Sequence, residues 1–192
     1  MRESLRVFSE PKPRSSTLFA LLLGGAVLSV ALLTQLDLSN PSSAGFVAMA
    51  LLGPTMAAVD IREYRLPDPL TLVTGSVAVI GAITVCAFES DWSRLISSTA
   101  YAVAAAGVFY VLALLTAGGI GLGDIKLLAV IGFTVGLNGW QTLIYCIAGA
   151  FIIGAVVAIV TRLKQAGVKE LPFGPFLIVA TVITGFFAHT VV

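Results

Sequence analysis

The chain has 192 residues, 58% of them hydrophobic and 11% charged, with a mean hydropathy of +1.02. A soluble domain carries about 25% charged residues, so an ordinary water-soluble globule is excluded, and a net charge of +1 provides no broad basic field for nucleic acid. The length suits one domain, and the two cysteines, Cys86 and Cys146, form no CxxC pair and sit inside apolar runs, which reads as buried, inert thiols rather than a zinc ribbon or dithiol centre.

In chain order, residues 1–16, with the stretch SEPKPRSS, read as a cytoplasmic tail, and residues 17–192 as a single transmembrane domain. A spanning helix needs about 20 apolar residues. Apolar runs at 17–36, 43–59, 69–88, 95–117, 125–138, 141–161 and 172–191 are the candidates. The first follows a basic segment but is longer than a signal-peptide core, and TQLDLSNPSSA makes an indifferent cleavage site, so it reads as a retained span. The second ends at Asp60. Asp68, in LPDPLTL, precedes Pro69 and an apolar run, the pattern of an N-cap followed by proline at the first helical position. The fifth run is short: a thin-membrane span, a tilted half-helix and a re-entrant piece all fit it. Between the sixth and seventh runs, RLKQAGVKEL at 162–171 reads as a solvated loop.

Lysine and arginine positions set an orientation. With the N-terminus inside, Arg2, Arg6, Lys12, Arg14, Arg62, Arg65, Lys126, Arg162, Lys164 and Lys169 fall on the cytoplasmic side, and only Arg94 falls outside. Basic residues stay inside, so the distribution favours seven crossings. The fold class expected is all-α: a polytopic membrane bundle of six to seven transmembrane helices.

Among the acids, Glu3, Glu10, Asp37, Glu89, Asp91 and Glu170 read as solvated surface, and Glu63, between Arg62 and Arg65, as solvated or paired. Asp60 and Asp124 differ. They map to the same depth, at the inner edge of the hydrocarbon, where an ionisable group is costly without a partner or a wet cavity. Gly118, Gly119, Gly121 and Gly123 crowd the turn before Asp124 and permit close backbone approach. Small residues bring membrane helices together, and Gly53, Ala57 and Ala58 on the second run face the task of meeting Gly121 and Gly123. Lys126, two residues beyond Asp124, points elsewhere on a helix and reads as an interfacial anchor. Paired acids at a helix break suit hydrolysis; a cation site or proton relay in a small transporter is the alternative, though it predicts acids nearer the bilayer midplane than the inner edge.

Three stretches in order narrow the choice: DIREYRLPDPLTL (60–72), GIGLGDIKLLAVIG (119–132) and LPFGPFLIVA (171–180). Together they resemble the type IV prepilin peptidase family, the GxGD aspartyl proteases, over roughly residues 44–190. In that family one aspartate opens D-x-x-x-x-x-[LI]-P-D, a second closes G-x-G-D, and a P-F-G-P-F-L-like segment opens the last span. The resemblance implies catalytic roles for Asp60 and Asp124, with Gly121, Gly123, Lys126, Asp68, Pro172, Gly174 and Pro175 as supporting residues. The last three read as a kinked entry to the final span beside the site or as ordinary helix-start chemistry. It also implies a membrane-embedded endopeptidase that removes a short basic leader from a precursor with an apolar helix, at the cytoplasmic face of a prokaryotic inner membrane.

Larger family members carry two CxxC pairs in an N-terminal cytoplasmic region associated with N-methylation. This sequence has none, so it resembles the short, peptidase-only members and methyltransferase activity is in question. The chemistry needs no cofactor and no metal. The partners implied are the precursor and the lipid bilayer, with no nucleic acid; neither the precursor nor the oligomeric state is legible in the residues.

Overall fold

The computed structural model describes residues 15–116, 121–164 and 171–187. The tail, the turn glycines Gly118 and Gly119, most of the 162–171 loop and His189 lie outside them.

Among the described residues there are seven helices and no strand: α1 (Ser15–Leu33), α2 (Ser43–Glu63), α3 (Asp68–Glu89), α4 (Trp92–Leu115), α5 (Leu122–Gly136), α6 (Trp140–Lys164) and α7 (Gly174–Phe187). Each apolar run became one helix. α2, α3, α4 and α6 are long and apolar enough to cross a membrane, and the architecture is a polytopic membrane helix bundle. Large apolar side chains such as Leu72, Ile80, Val103, Ile152 and Val156 stay exposed on its outer face, the arrangement expected where the solvent is hydrocarbon.

The short fifth run is the buried axis of the bundle. Leu127, Leu128, Ile131 and Val135 are fully buried, and glycines let the neighbours close on the helix. Gly132 lies against the Ala102 backbone of α4, and a Cβ there would come within 2.9 Å of the Ala102 Cα. Gly45 of α2 lies against Thr134 and Gly75 of α3 against Val130. At about 1.5 Å per residue, 15 residues fall short of a hydrocarbon core about 30 Å thick. A helix sheathed in protein need not match that thickness, because its ends meet polar partners rather than lipid. The α5 C-terminus does so: the Asn40 side chain, just before α2, donates to Asn138 Oδ1 at 2.9 Å. Its N-terminus lies at the other end of α2.

α2 runs four residues past its apolar stretch, so Asp60 lies inside the last turn. Tyr64, in the left-handed region at φ 51°, ends the helix, and its N–H bonds the Asp60 carbonyl. Within α2, Pro54 leaves the Ala50 carbonyl without its helical donor. Gly25 of α1 packs on the carbonyls of Ala50 and Leu51 there. The Ser29 hydroxyl donates to the Gly25 carbonyl at 2.8 Å and lies 3.2 Å from the Val47 carbonyl. Both cysteines are free and buried, and the Cys146 Sγ lies 3.6 Å from the Thr181 hydroxyl.

Candidate active site

α2 and α5 make little direct contact; both pack against α3 and α7. Gly53, one of the small residues of α2, does not serve the purpose expected of it. Gly53 faces Ile178 of α7, and Gly123 faces Leu66 in the α2–α3 connection. The two carboxylates meet around a third element instead.

That element is Gly174, the first residue of α7. A Cβ built there would stand 2.5 Å from Asp60 Oδ2, 3.0 Å from Leu66 Cδ1 and 3.3 Å from Asp124 Oδ1. The two carboxylate oxygens are therefore no further apart than about 6 Å, the sum of the first and last of those distances. Only a residue without a side chain fits between them. The Asp60 carboxyl also faces the Gly174 backbone N–H, and the two aspartates repel each other electrostatically. Asp60 is only 4% exposed, and its Oδ2 has no hydrogen-bond partner among the described residues. A buried carboxylate oxygen without a partner is costly. It is also an open acceptor, available to a water or a peptide group.

Asp124 sits in the first turn of α5. Gly121 caps the helix with extended backbone, and its carbonyl accepts the Asp124 N–H at 3.1 Å. Gly121 lies close to the Asp124 carboxyl, with its Cβ position 3.7 Å from Oδ2. Gly123 gives room to Leu66, whose Cβ would stand 3.1 Å from a Cβ added there. Leu66 is buried and walls the site between Gly123 and Gly174. It belongs to the LPD stretch six residues past Asp60. Its apolar character in a polar connection was the one signal that could have singled it out.

The start of α7 is held by aromatic packing that the reading of single residues also missed. The Phe173 ring lies 4.9 Å from Phe151 of α6, Phe151 lies 6.0 Å from Phe109 of α4, and Gly154 receives the Phe176 ring. Pro172 is half-buried before the helix and Pro175 is buried in its first turn. The last of the three stretches is thus beside the site, and it supplies the contact between the aspartates.

Asp68 requires a correction. It is the first residue of α3, the N-cap position belongs to Pro67, and no side-chain cap bond forms. Its carboxylate instead accepts both hydrogen bonds of a forked pair with Lys126 Nζ, each 2.8 Å long. Lys126 does point away from Asp124, as its spacing predicts, and the partner it finds is 58 residues away in sequence. Glu63 is exposed.

The model of the type IV leader peptidase family matches residues 46–159, which includes both aspartates. The chain belongs to this family. Among similar proteins is a prepilin leader peptidase/N-methyltransferase of Burkholderia pseudomallei, 32% identical over 164 residues, or 79% of this chain and 50% of that protein. A protein of the same name from Xanthomonas campestris pv. campestris is 27% identical over 151 residues, 77% of this chain and 51% of its own. The leader peptidase HopD of Salmonella typhimurium is 41% identical over 70 residues, 35% of this chain and 43% of its own. The chain thus spans about half the length of the curated relatives it matches. No solved structure matches it.

Proposed function

We propose that the protein is an aspartic endopeptidase that removes a short basic leader from prepilin-like precursors, using Asp60 and Asp124 to activate one water. The observation that carries this is the placement of both carboxylates against the bare Cα of Gly174. Membership of the leader peptidase family supplies the reaction class, and the relatives' names suggest the substrate.

Two carboxylates this close share one proton. The ionised one removes a proton from water as its oxygen bonds to the scissile carbonyl carbon. The neutral one donates a hydrogen bond to the carbonyl oxygen. As the C–N bond breaks, a carboxyl proton passes to the leaving amine, and the shared proton is restored. Acid or base assistance of this kind is worth about 10²–10⁴-fold. The unpartnered Asp60 Oδ2 is where such a water finds its acceptor.

The bundle of residues 17–192 acts in this reading as one peptidase domain, with residues 1–16 as a cytoplasmic tail. Arg62, Arg65 and Lys126 lie at the same end as the aspartates and Arg94 at the other. Basic residues remain inside, so the N-terminus and the site face the cytoplasm of a prokaryotic inner membrane. A precursor with a basic leader and an apolar helix is held at that depth by the same rule.

The test is incubation of detergent-solubilised protein with a precursor of that kind, followed by mass analysis. The expected result is one clipped product, absent with Asp60→Asn and with Asp124→Asn. Full cleavage by either variant refutes the assignment.

A further inference from the structure

The Lys126–Asp68 pair is the polar link between α3 and α5 beside the carboxylates. It joins the first residue of α3 to the first turn of α5. Both side chains are well exposed, 57% for Lys126 and 66% for Asp68, so the pair contributes little to stability. A groove of about 850 Å³ lies directly beside the pair, lined mostly by α3 residues such as Leu72, Gly75 and Val79, with Lys126 and Val130 from α5. One turn further along, Gly75 of α3 packs against Val130 of α5, and at the start of the two helices the ion pair supplies the polar link.

The position of Asp124 relative to Asp60 depends on such links. α2 and α5 make little direct contact; both pack on α3 and α7, and α5 packs most extensively on α4. On one side Gly174 lies between the carboxylates. On the other, the chain passes from Asp60 through four residues of connection, Tyr64 to Pro67, to Asp68, and from there through the ion pair to Lys126, two residues from Asp124. With both carboxylate oxygens 2.8 Å from the one ammonium nitrogen, the pair fixes a distance, as a point charge does.

We infer that Lys126 and Asp68 are positioning residues for the proposed peptidase: their ion pair braces the start of α5 against the start of α3 and thereby holds the Asp124 carboxylate at its working distance from Asp60. The inference rests on the peptidase reading. A displacement of about 1 Å in a reacting group costs on the order of 10²-fold in rate. An exposed pair can therefore matter greatly to turnover and hardly at all to stability.

The experiment compares Asp68→Asn, Lys126→Gln and the charge swap Asp68→Lys/Lys126→Asp in the full chain. The swap keeps the net charge and a basic residue at the same level of the bundle. Each single change is expected to lower kcat about 10–100-fold, leave KM within about twofold and leave the unfolding temperature within about 2 °C. The swap is expected to recover most of kcat. Singles that turn over like wild type overturn the brace. So does a swap no better than the singles, since each residue would then act alone.

A second measurement does not use activity. Spin labels go on Glu63→Cys and Leu122→Cys, both exposed positions, in a Cys86→Ala/Cys146→Ala background. EPR then reads the separation of the two ends. The distance distribution is expected to broaden in the singles and sharpen again in the swap; an unchanged distribution overturns the brace. If wild type cuts no precursor yet the distribution still broadens and recovers, the peptidase reading fails while the brace stands.

Discussion

The two ends of this bundle treat their buried and exposed acids differently. At the end holding Asn40, Asn138 and the α3–α4 turn, the acidic side chains have partners, although the buried Asn138 Nδ2 and Thr134 hydroxyl have none among the described residues. Asp37 accepts the Ser39 N–H at 2.9 Å, Asn40 bonds Asn138 and accepts from Ser42, and Arg94 pairs with Glu89 and Asp91. The Ser93 hydroxyl, helped by Arg94, holds the Asp91 carboxyl below the usual carboxylate range. At the other end Asp60 is buried with an oxygen that nothing in the described residues satisfies, beside a second carboxylate that repels it. A fold that pairs its acids at one end can pair them at the other. Leaving two unpaired and adjacent has a cost that the proposed reaction would account for.

The contrast can be broken at several points. The largest effect is expected from the carboxylates: Asp60→Asn or Asp124→Asn should lower kcat by at least about 10³-fold, and the double variant should be no worse than the poorer single, because groups that act as a unit are not additive. Single-turnover kinetics on a labelled precursor measures this, and multiplying losses would mean that the two act separately. Gly174→Ala comes next. Its Cβ must displace Asp60 Oδ2, and a drop of about 10²-fold in kcat with a few degrees' loss of thermal stability is expected.

At the opposite end the response should invert. Gly45→Ala drives a Cβ to within 2.5 Å of Thr134 Cγ2, and overpacking of this kind costs about 1–3 kcal/mol. Thermal unfolding in detergent should register that loss, turnover per folded molecule should stay within twofold, and Thr134→Ala should rescue the stability. A large fall in kcat would mean that the two ends are coupled.

Asp91→Asn is the smallest. Asp91 titrates lower when folded than when unfolded, so its contribution is present above the unfolded value and disappears as pH falls through the folded one. Wild type should unfold at a slightly higher temperature than the variant at neutral pH, and the difference should vanish on acidification below about pH 4. A difference that grows with acid would reverse the sign.

The helices were legible because hydrocarbon is an unforgiving solvent: a backbone that crosses it must be helical, and the run of apolar residues marks where. Each run became a helix, within a few residues at either end wherever the boundary is described. Asp60, Asp124 and the three stretches around them stood out because charge is rare in such runs. Pairings between distant elements were not legible. Asp68 followed by proline has the local pattern of a cap, but the carboxylate is taken by Lys126, because a cationic partner outcompetes a neutral N–H. Gly53 of α2 had the right composition to meet α5 and meets Ile178 of α7 instead, since composition says that a surface is small but not what lies against it.

By itself the sequence determined which segments are apolar helices, where the acids stand along them and which family's pattern they carry, because those properties belong to the order of residues along one chain. Tertiary structure alone decided that α5 is sheathed by its neighbours, that Gly174 of α7 is the point where Asp60 and Asp124 meet, and that Lys126 answers Asp68. Those are facts of distance between helices, and distance is set by which side chains interlock, information that no single segment contains.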